Sequence, residues 1–216
     1  SIEVDERLPP LLAETMAGVD NFKLVLQDVL KVDLRALIEE EFPGMPVAVC
    51  ANLPYYITSP IIMRLLEGPL PIRSLTVMVQ KEAAVRITAA PGTRECGAIS
   101  AAVWYYSTPK LLFPVSRGSF LPAPAVDSAV IRLDLPQELP EDLPPREDFF
   151  AVVRAGFGQR RKTMLNSLSA GLRWEKDATR ALLTAAGIAE NARAEQVTLE
   201  QWKALTRAYF SMKKSR

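Results

Sequence analysis

Residues Ala51–Ile61 read ANLPYYITSPI, and they continue the apolar run Val47–Ala51 without a break. An unbroken apolar run ending at Asn52 predicts a buried strand. Ser59-Pro60 then predicts a helix start, with the serine as N-cap and the proline at the first helical position, where a missing N–H costs nothing. That helix is expected to run through Ile61–Glu67 and to stop at Gly68-Pro69. A strand passing directly into a helix is the repeating step of an open α/β sheet. Between the two, an Asn, a Pro and two tyrosines make a poor core and an odd linker. They suit a pocket for a flat polar ring.

The same alternation continues on both sides. Ile2–Val4, Phe22–Leu26 and Leu75–Val79 read as strands; Arg7–Met16, Val32–Phe42 and Glu82–Thr88 read as helices, with Gly18 and Pro43-Gly44 as stops. This order predicts a mostly parallel sheet covered on both faces. Val103–Leu112 and Ser128–Leu135 read as an antiparallel pair finishing the sheet. Pro136–Pro145, PQELPEDLPP, is a proline-rich acidic linker. Beyond it the pattern is helical at Arg146–Gly156, Thr163–Ser169, Glu175–Ala186 and Leu199–Ser211. A boundary near Leu139–Pro145 therefore divides the chain into regions 1–140 and 141–216.

Composition excludes several classes. No apolar run in the 216 residues approaches the ~20 that a membrane span needs, and no secretory signal pattern is present. Cys50 and Cys96 lie far apart and the chain has no histidine, which argues against a zinc site and for reduced thiols in a cytoplasmic protein. The net charge of +1 hides an asymmetry: residues 146–216 hold 14 Lys/Arg and 7 Asp/Glu, whereas residues 1–145 hold 12 and 18. A basic C-terminal region suggests an anionic partner such as nucleic acid; a solvated basic helical surface is the alternative. The chain opens on Ser1-Ile2-Glu3-Val4-Asp5, which reads as the end of a strand, so an N-terminal piece is expected to be absent from this sequence.

Ligands of such sheets bind at the carboxyl ends of the strands. Glu3, Asp28 and Asn52 fall at three of those ends. A carboxylate there is suited to accept from the two hydroxyls of a ribose, and a second from an exocyclic amine, although a lone strand-end carboxylate is ordinarily just solvated. An adenine amine is a weak nucleophile because its lone pair is delocalised into the ring. The Asn52 side-chain oxygen and the Leu53 carbonyl, accepting from its two hydrogens, would localise that pair. Pro54 fixes the backbone there. Tyr55 can stack on the ring, worth ~1–3 kcal/mol per base. No strong base is required, since alkylation makes the remaining proton acidic. Phe120, in the proline-stiffened stretch Ser116–Ser128, is placed to close the other face of an extruded base, or else is a buried structural ring. Arg160, Arg161 and Lys162 sit together at a predicted helix start, where they oppose the helix dipole unless anions such as phosphates neutralise them; a solvated charge run is the other reading.

These motifs together resemble one family. IEVD (2–5), QDVLK (27–31), NLPYYITSPI (52–61), GSFLPAPAVDSAV (118–130) and FGQRRKTMLNSL (157–168) are similar to the ribosomal RNA adenine dimethyltransferases, most of all to the bacterial small-subunit enzymes. The resemblance implies a Rossmann-like S-adenosylmethionine-dependent methyltransferase sheet plus a small all-helical C-terminal domain. It implies dimethylation of two adjacent adenosines in 16S rRNA during ribosome biogenesis, by a monomer without a metal and without a membrane partner. Glu3 then corresponds to the acid on the cofactor ribose, Asp28 to the contact with its adenine, and Asn52 to a residue serving cofactor and target base. Tyr55 and Phe120 match the aromatic clamp, and the helical domain matches the part that docks on the subunit. The family begins with a further strand and a Gly-rich turn not found upstream of Glu3, so this chain alone is expected to bind cofactor poorly. The alternatives are a large-subunit methyltransferase of the macrolide-resistance type and a non-catalytic RNA-binding assembly factor.

Overall fold

A computed structural model describes every residue except Pro69, Leu139, Pro140, Asp142, Arg160, Ser215 and Arg216. Three residues of the predicted linker thus lie outside the described residues. Two units emerge, Ser1–Val47 with Tyr56–Pro71, and Ala48–Tyr55 with Ile72–Arg216.

In the first unit, Ile2–Glu3 (β1) and Val25–Leu26 (β2) pair in parallel, Ile2 opposite Val25 and Glu3 opposite Leu26. Phe22–Leu24, expected in the strand, lie outside it, although Lys23 O still accepts from the Ser1 amino group at 2.7 Å. The helices are α1 (Leu8–Thr15), α2 (Leu34–Glu41) and α3 (Thr58–Glu67). Asp33 caps α2, its carboxylate accepting from Ala36 N at 3.0 Å, a signal of the usual kind. Ser59 is not the cap of α3. The helix starts two residues earlier than expected, at Thr58 out of a 3-10 turn at Tyr55–Ile57, and Pro60 still falls in the first turn, where its missing N–H is harmless. Ile61, Ile62, Leu65 and Leu66 of α3 are buried, as are Leu34 and Ile38 of α2, the spacing expected of inward helix faces. Arg64 donates to Val32 O at 2.7 Å, tying α3 to the entry of α2.

The second unit holds a four-stranded sheet in the order β3-β4-β6-β5, with β3 at Val47–Asn52, β4 at Ile72–Gln80, β5 at Thr108–Val115 and β6 at Ser128–Asp134. Val47 N bonds Pro71 O and Leu53 N bonds Met78 O, so β3 and β4 run in the same direction. β6 is antiparallel to both neighbours, from Ser74 opposite Asp134 to Gln80 opposite Ser128, and from Thr108 opposite Asp134 to Val115 opposite Ser128. Within this sheet one strand pair is parallel and two are antiparallel, rather than mostly parallel, because β6 lies between β4 and β5 and runs against both. Leu112 is an extra residue in outer strand β5, between Leu111 and Phe113.

Helix α4 (Lys81–Thr88) lies against β5 and β6, and α5 (Ala98–Tyr106) against α4 and β5. The helix α5 overturns the expected strand at Val103–Tyr106. Its aromatic and β-branched residues favour strands, but Gly97 N bonds Ser100 Oγ at 2.9 Å and six of its nine residues are buried. A helix apolar nearly all round is stable when buried nearly all round.

The C-terminal part comprises α6 (Arg146–Phe157), α7 (Met164–Leu172), α8 (Lys176–Ala185) and α9 (Leu199–Lys214) around Trp202, Phe149, Met164 and Leu183. Tyr105 of α5 packs on Phe149 of α6 with ring centroids 4.5 Å apart, and Tyr106 stacks on Phe150 at 5.6 Å. The Tyr105 hydroxyl donates to Pro144 O at 2.9 Å, and burial pushes its ionisation upward, so it stays a neutral donor. α6 and α7 cross closely at Gly171, where an added Cβ would lie 2.6 Å from Ala155 Cβ and 2.7 Å from Ala155 Cα. Backbone cannot yield as a side chain can, so Gly171→Ala is expected to destabilise by about 1–3 kcal/mol despite alanine's better helix propensity. Urea unfolding measures it. Among the described residues no helix is long and apolar enough to cross a membrane.

Candidate active site

In the sheet of the second unit, the directions of the strands bring the ends of β3, β4 and β5 to the rim where β6 begins. Asn52 is the last residue of β3, exposed, and its side-chain amide makes no hydrogen bond among the described residues. Leu53 follows with the opposite character: its side chain is 6% exposed and its N–H donates to Met78 O at 3.1 Å. The anchored Leu53 holds the open Asn52 at the tip. Pro54 leads into the 3-10 turn, and Tyr55 is half-buried, its hydroxyl 2.8 Å from Ser128 Oγ.

The connection between β5 and β6 turns at Arg117–Ser119, capped by Ser116 Oγ, which accepts from Gly118 N. Phe120 follows, half-buried, with Leu121 fully exposed beyond it. Asp127 closes the connection: its carboxylate accepts from Arg117 N at 3.0 Å, and its carbonyl accepts from Lys81 N at 3.0 Å. Asn52, Tyr55 and Phe120 thus come from segments that meet at one rim. Ser128 and Asp127 were not among the residues singled out from sequence. A serine opening an apolar strand looks like the end of a turn, and its partner is 73 positions away.

Glu3 and Asp28 belong to the first unit, at and just beyond the carboxyl ends of the adjacent strands β1 and β2. Glu3 Oε1 accepts from Val4 N and Asp5 N at 2.7 and 2.9 Å. Asp28 Oδ1 accepts from Leu30 N at 2.9 Å. Those bonds orient each carboxylate through one oxygen, and the second oxygen of each takes no donor among the described residues. That leaves acceptors of the kind a ribose diol or an amine requires.

Arg161 and Lys162 are exposed in the turn before α7, which begins at Met164; Arg160 lies outside the described residues. Arg161 and Lys162 precede the N-cap Thr163, next to the helix start as expected. No group of three or more His, Cys, Asp or Glu side chains is placed to hold a metal ion among the described residues.

The family model for ribosomal RNA adenine dimethylase matches residues 1–209. The chain belongs to that family. Among curated members, it is 50% identical over 207 residues to ribosomal RNA small subunit methyltransferase A of Alkaliphilus oremlandii (strain OhILAs), covering 95% of this chain and 72% of the relative. It is 44% identical over 206 residues to the protein of that name from Clostridioides difficile (strain 630), covering 95% and 71%. The crystal structure of the 23S rRNA methyltransferase ErmE is similar with TM-score 0.68 and 29% identity, over 96% of this chain and 80% of that one. A dimethyladenosine transferase from Plasmodium falciparum shares the fold, with TM-score 0.75 at 22% identity over 97% and 81%. Among adenine dimethylases, then, this chain has the Rossmann-like methyltransferase fold with a helical C-terminal part, as its motifs implied.

Proposed function

We propose that this dimethylase transfers methyl groups to the exocyclic amines of two adjacent adenosines in the 16S rRNA of the small ribosomal subunit, dimethylating each during ribosome biogenesis. The observation that carries the reading is the tip of β3, an exposed, unengaged Asn52 held by an anchored Leu53 and followed by Tyr55. S-adenosylmethionine supplies an electrophilic methyl group. Glu3 and Asp28 are assigned to its ribose and adenine, each with one carboxylate oxygen that takes no donor among the described residues, and Asn52 to both cofactor and target base. The Asn52 oxygen and the Leu53 carbonyl accept from the adenine amine and draw its lone pair out of conjugation, while Pro54 holds the turn. Tyr55 and Phe120 hold the ring between their faces. The proton leaves to water once the nitrogen is alkylated, which suits a chain with no histidine.

Identity supports the small subunit over the large: 50% to a small-subunit enzyme against 29% to ErmE. In this reading residues 1–140 are catalytic, residues 141–216 dock on rRNA through Arg160, Arg161 and Lys162, and the protein acts as a cytoplasmic monomer. The test is incubation of the natural full-length protein and cofactor with unmethylated small and large subunits, followed by mass analysis of their adenosines. New dimethyladenosine in 16S rRNA alone is expected. Product in 23S rRNA alone points to the macrolide-resistance activity, and none in either to an assembly factor. Reversing two charges, Arg161→Glu with Lys162→Glu, is expected to weaken subunit binding and flatten its dependence on log salt by about 0.7–0.9 per lost phosphate contact. Cofactor affinity should be unchanged. Filter binding across a salt series measures the slope.

A further inference from the structure

We infer that Ser128 is a positioning residue for methyl transfer, pinning Tyr55 through its hydroxyl. The inference rests on the reading of Tyr55 as the ring that stacks on the target base. A stacking platform works only if its plane is held, and a tyrosine is free to pivot unless both ends are fixed. Pro54 and the 3-10 turn fix the near end of Tyr55. The far end is the hydroxyl, 2.8 Å from Ser128 Oγ. Ser128 is fully buried and is the first residue of β6, paired to Gln80 on one side and to Val115 on the other. It is flanked by two strands and cannot drift, and a buried hydroxyl there must have a partner.

The residue before it secures the second ring. Asp127 takes Arg117 N on its carboxylate and Lys81 N on its carbonyl, closing the connection that carries Phe120. One dipeptide at the start of β6 therefore sets the position of both aromatic segments relative to the sheet. Phenylalanine at position 55 would stack as well as tyrosine but would lose the pin.

The experiment measures single-turnover rates and KM of the full-length enzyme on small subunits for Tyr55→Phe, Ser128→Ala, the double variant and Tyr55→Ala. Tyr55→Phe and Ser128→Ala are each expected to slow turnover about tenfold, the scale of a modest misplacement of reacting groups, with both KM values within about twofold. The double variant should be no slower than the slower single one, because both changes delete one bond. A residue that merely stabilised the fold would not give that split or that non-additivity. Normal turnover in Tyr55→Phe, or slowing that multiplies in the double variant, overturns the inference. Should Ser128→Ala fail to fold, Tyr55→Phe, which keeps the ring, decides alone. If Tyr55→Ala turns over normally, the stacking reading itself fails and takes the inference with it. If Tyr55→Ala is slow while Tyr55→Phe is normal, stacking stands and only the pin is wrong.

Discussion

Asn52→Ala is expected to slow the methyl-transfer step about 10²- to 10³-fold, the usual loss when a group that stabilises developing charge is removed. The effect is one of timing. In the ground state the adenine amine is planar and its hydrogens are weakly acidic, so the bond to an amide oxygen is ordinary. As the nitrogen attacks, positive charge develops on it, its hydrogens become strong donors, and the same bond strengthens. An interaction stronger in the transition state than in the ground state appears in the rate rather than in binding. The structure makes the substitution clean: Asn52 is exposed and its side-chain amide bonds no described residue, so alanine there removes no internal side-chain hydrogen bond. The melting temperature should hold while single-turnover methylation of small subunits collapses. A variant that methylates at the normal rate would refute nucleophile activation by Asn52.

Phe149→Ala carries the largest expected cost to stability, about 3–5 kcal/mol for deleting a fully buried aromatic ring. Phe149 has no exposure and sits 4.5 Å from Tyr105 and 5.4 Å, edge-on, from Phe150. Transfer of the ring accounts for part of the loss, and the cavity it leaves, with the broken aromatic geometry, for the rest. Tyr105 belongs to α5, which covers the sheet, whereas Phe149 opens the C-terminal helices, so the loss falls on the joint between them. Denaturant unfolding measures the total. A loss under about 1 kcal/mol would mean that the cluster repacks without its central ring.

What the sequence made legible was local. The tip of β3 could be read because strand, amide, proline and tyrosine are consecutive, and β6 because the apolar run Ala129–Ile131 follows directly on a proline-rich turn. α2 and α6 to α9 declared themselves by helical spacing. α5 did not, since Val103, Trp104, Tyr105 and Tyr106 prefer strands by propensity and are held in a helix by what surrounds them. The start of α3 was misplaced because Ser59-Pro60 imitates a helix cap, while the 3-10 turn before it has no such signal. Ser128 went unread for a different reason. Its role is a bond to a residue far along the chain, and nothing next to it in sequence announces that bond.

The outer strand β5 has a consequence of its own. It carries Leu111, Leu112 and Phe113, exposed at 44, 44 and 52%, on the kind of border that templates another polypeptide. Pro109 and Pro114 withhold two amide donors from that border, and the extra Leu112 throws the remaining ones out of step. A second copy approaching side by side meets no continuous ladder to zip onto. The protein thereby carries greasy side chains on an open strand while discouraging its own self-association.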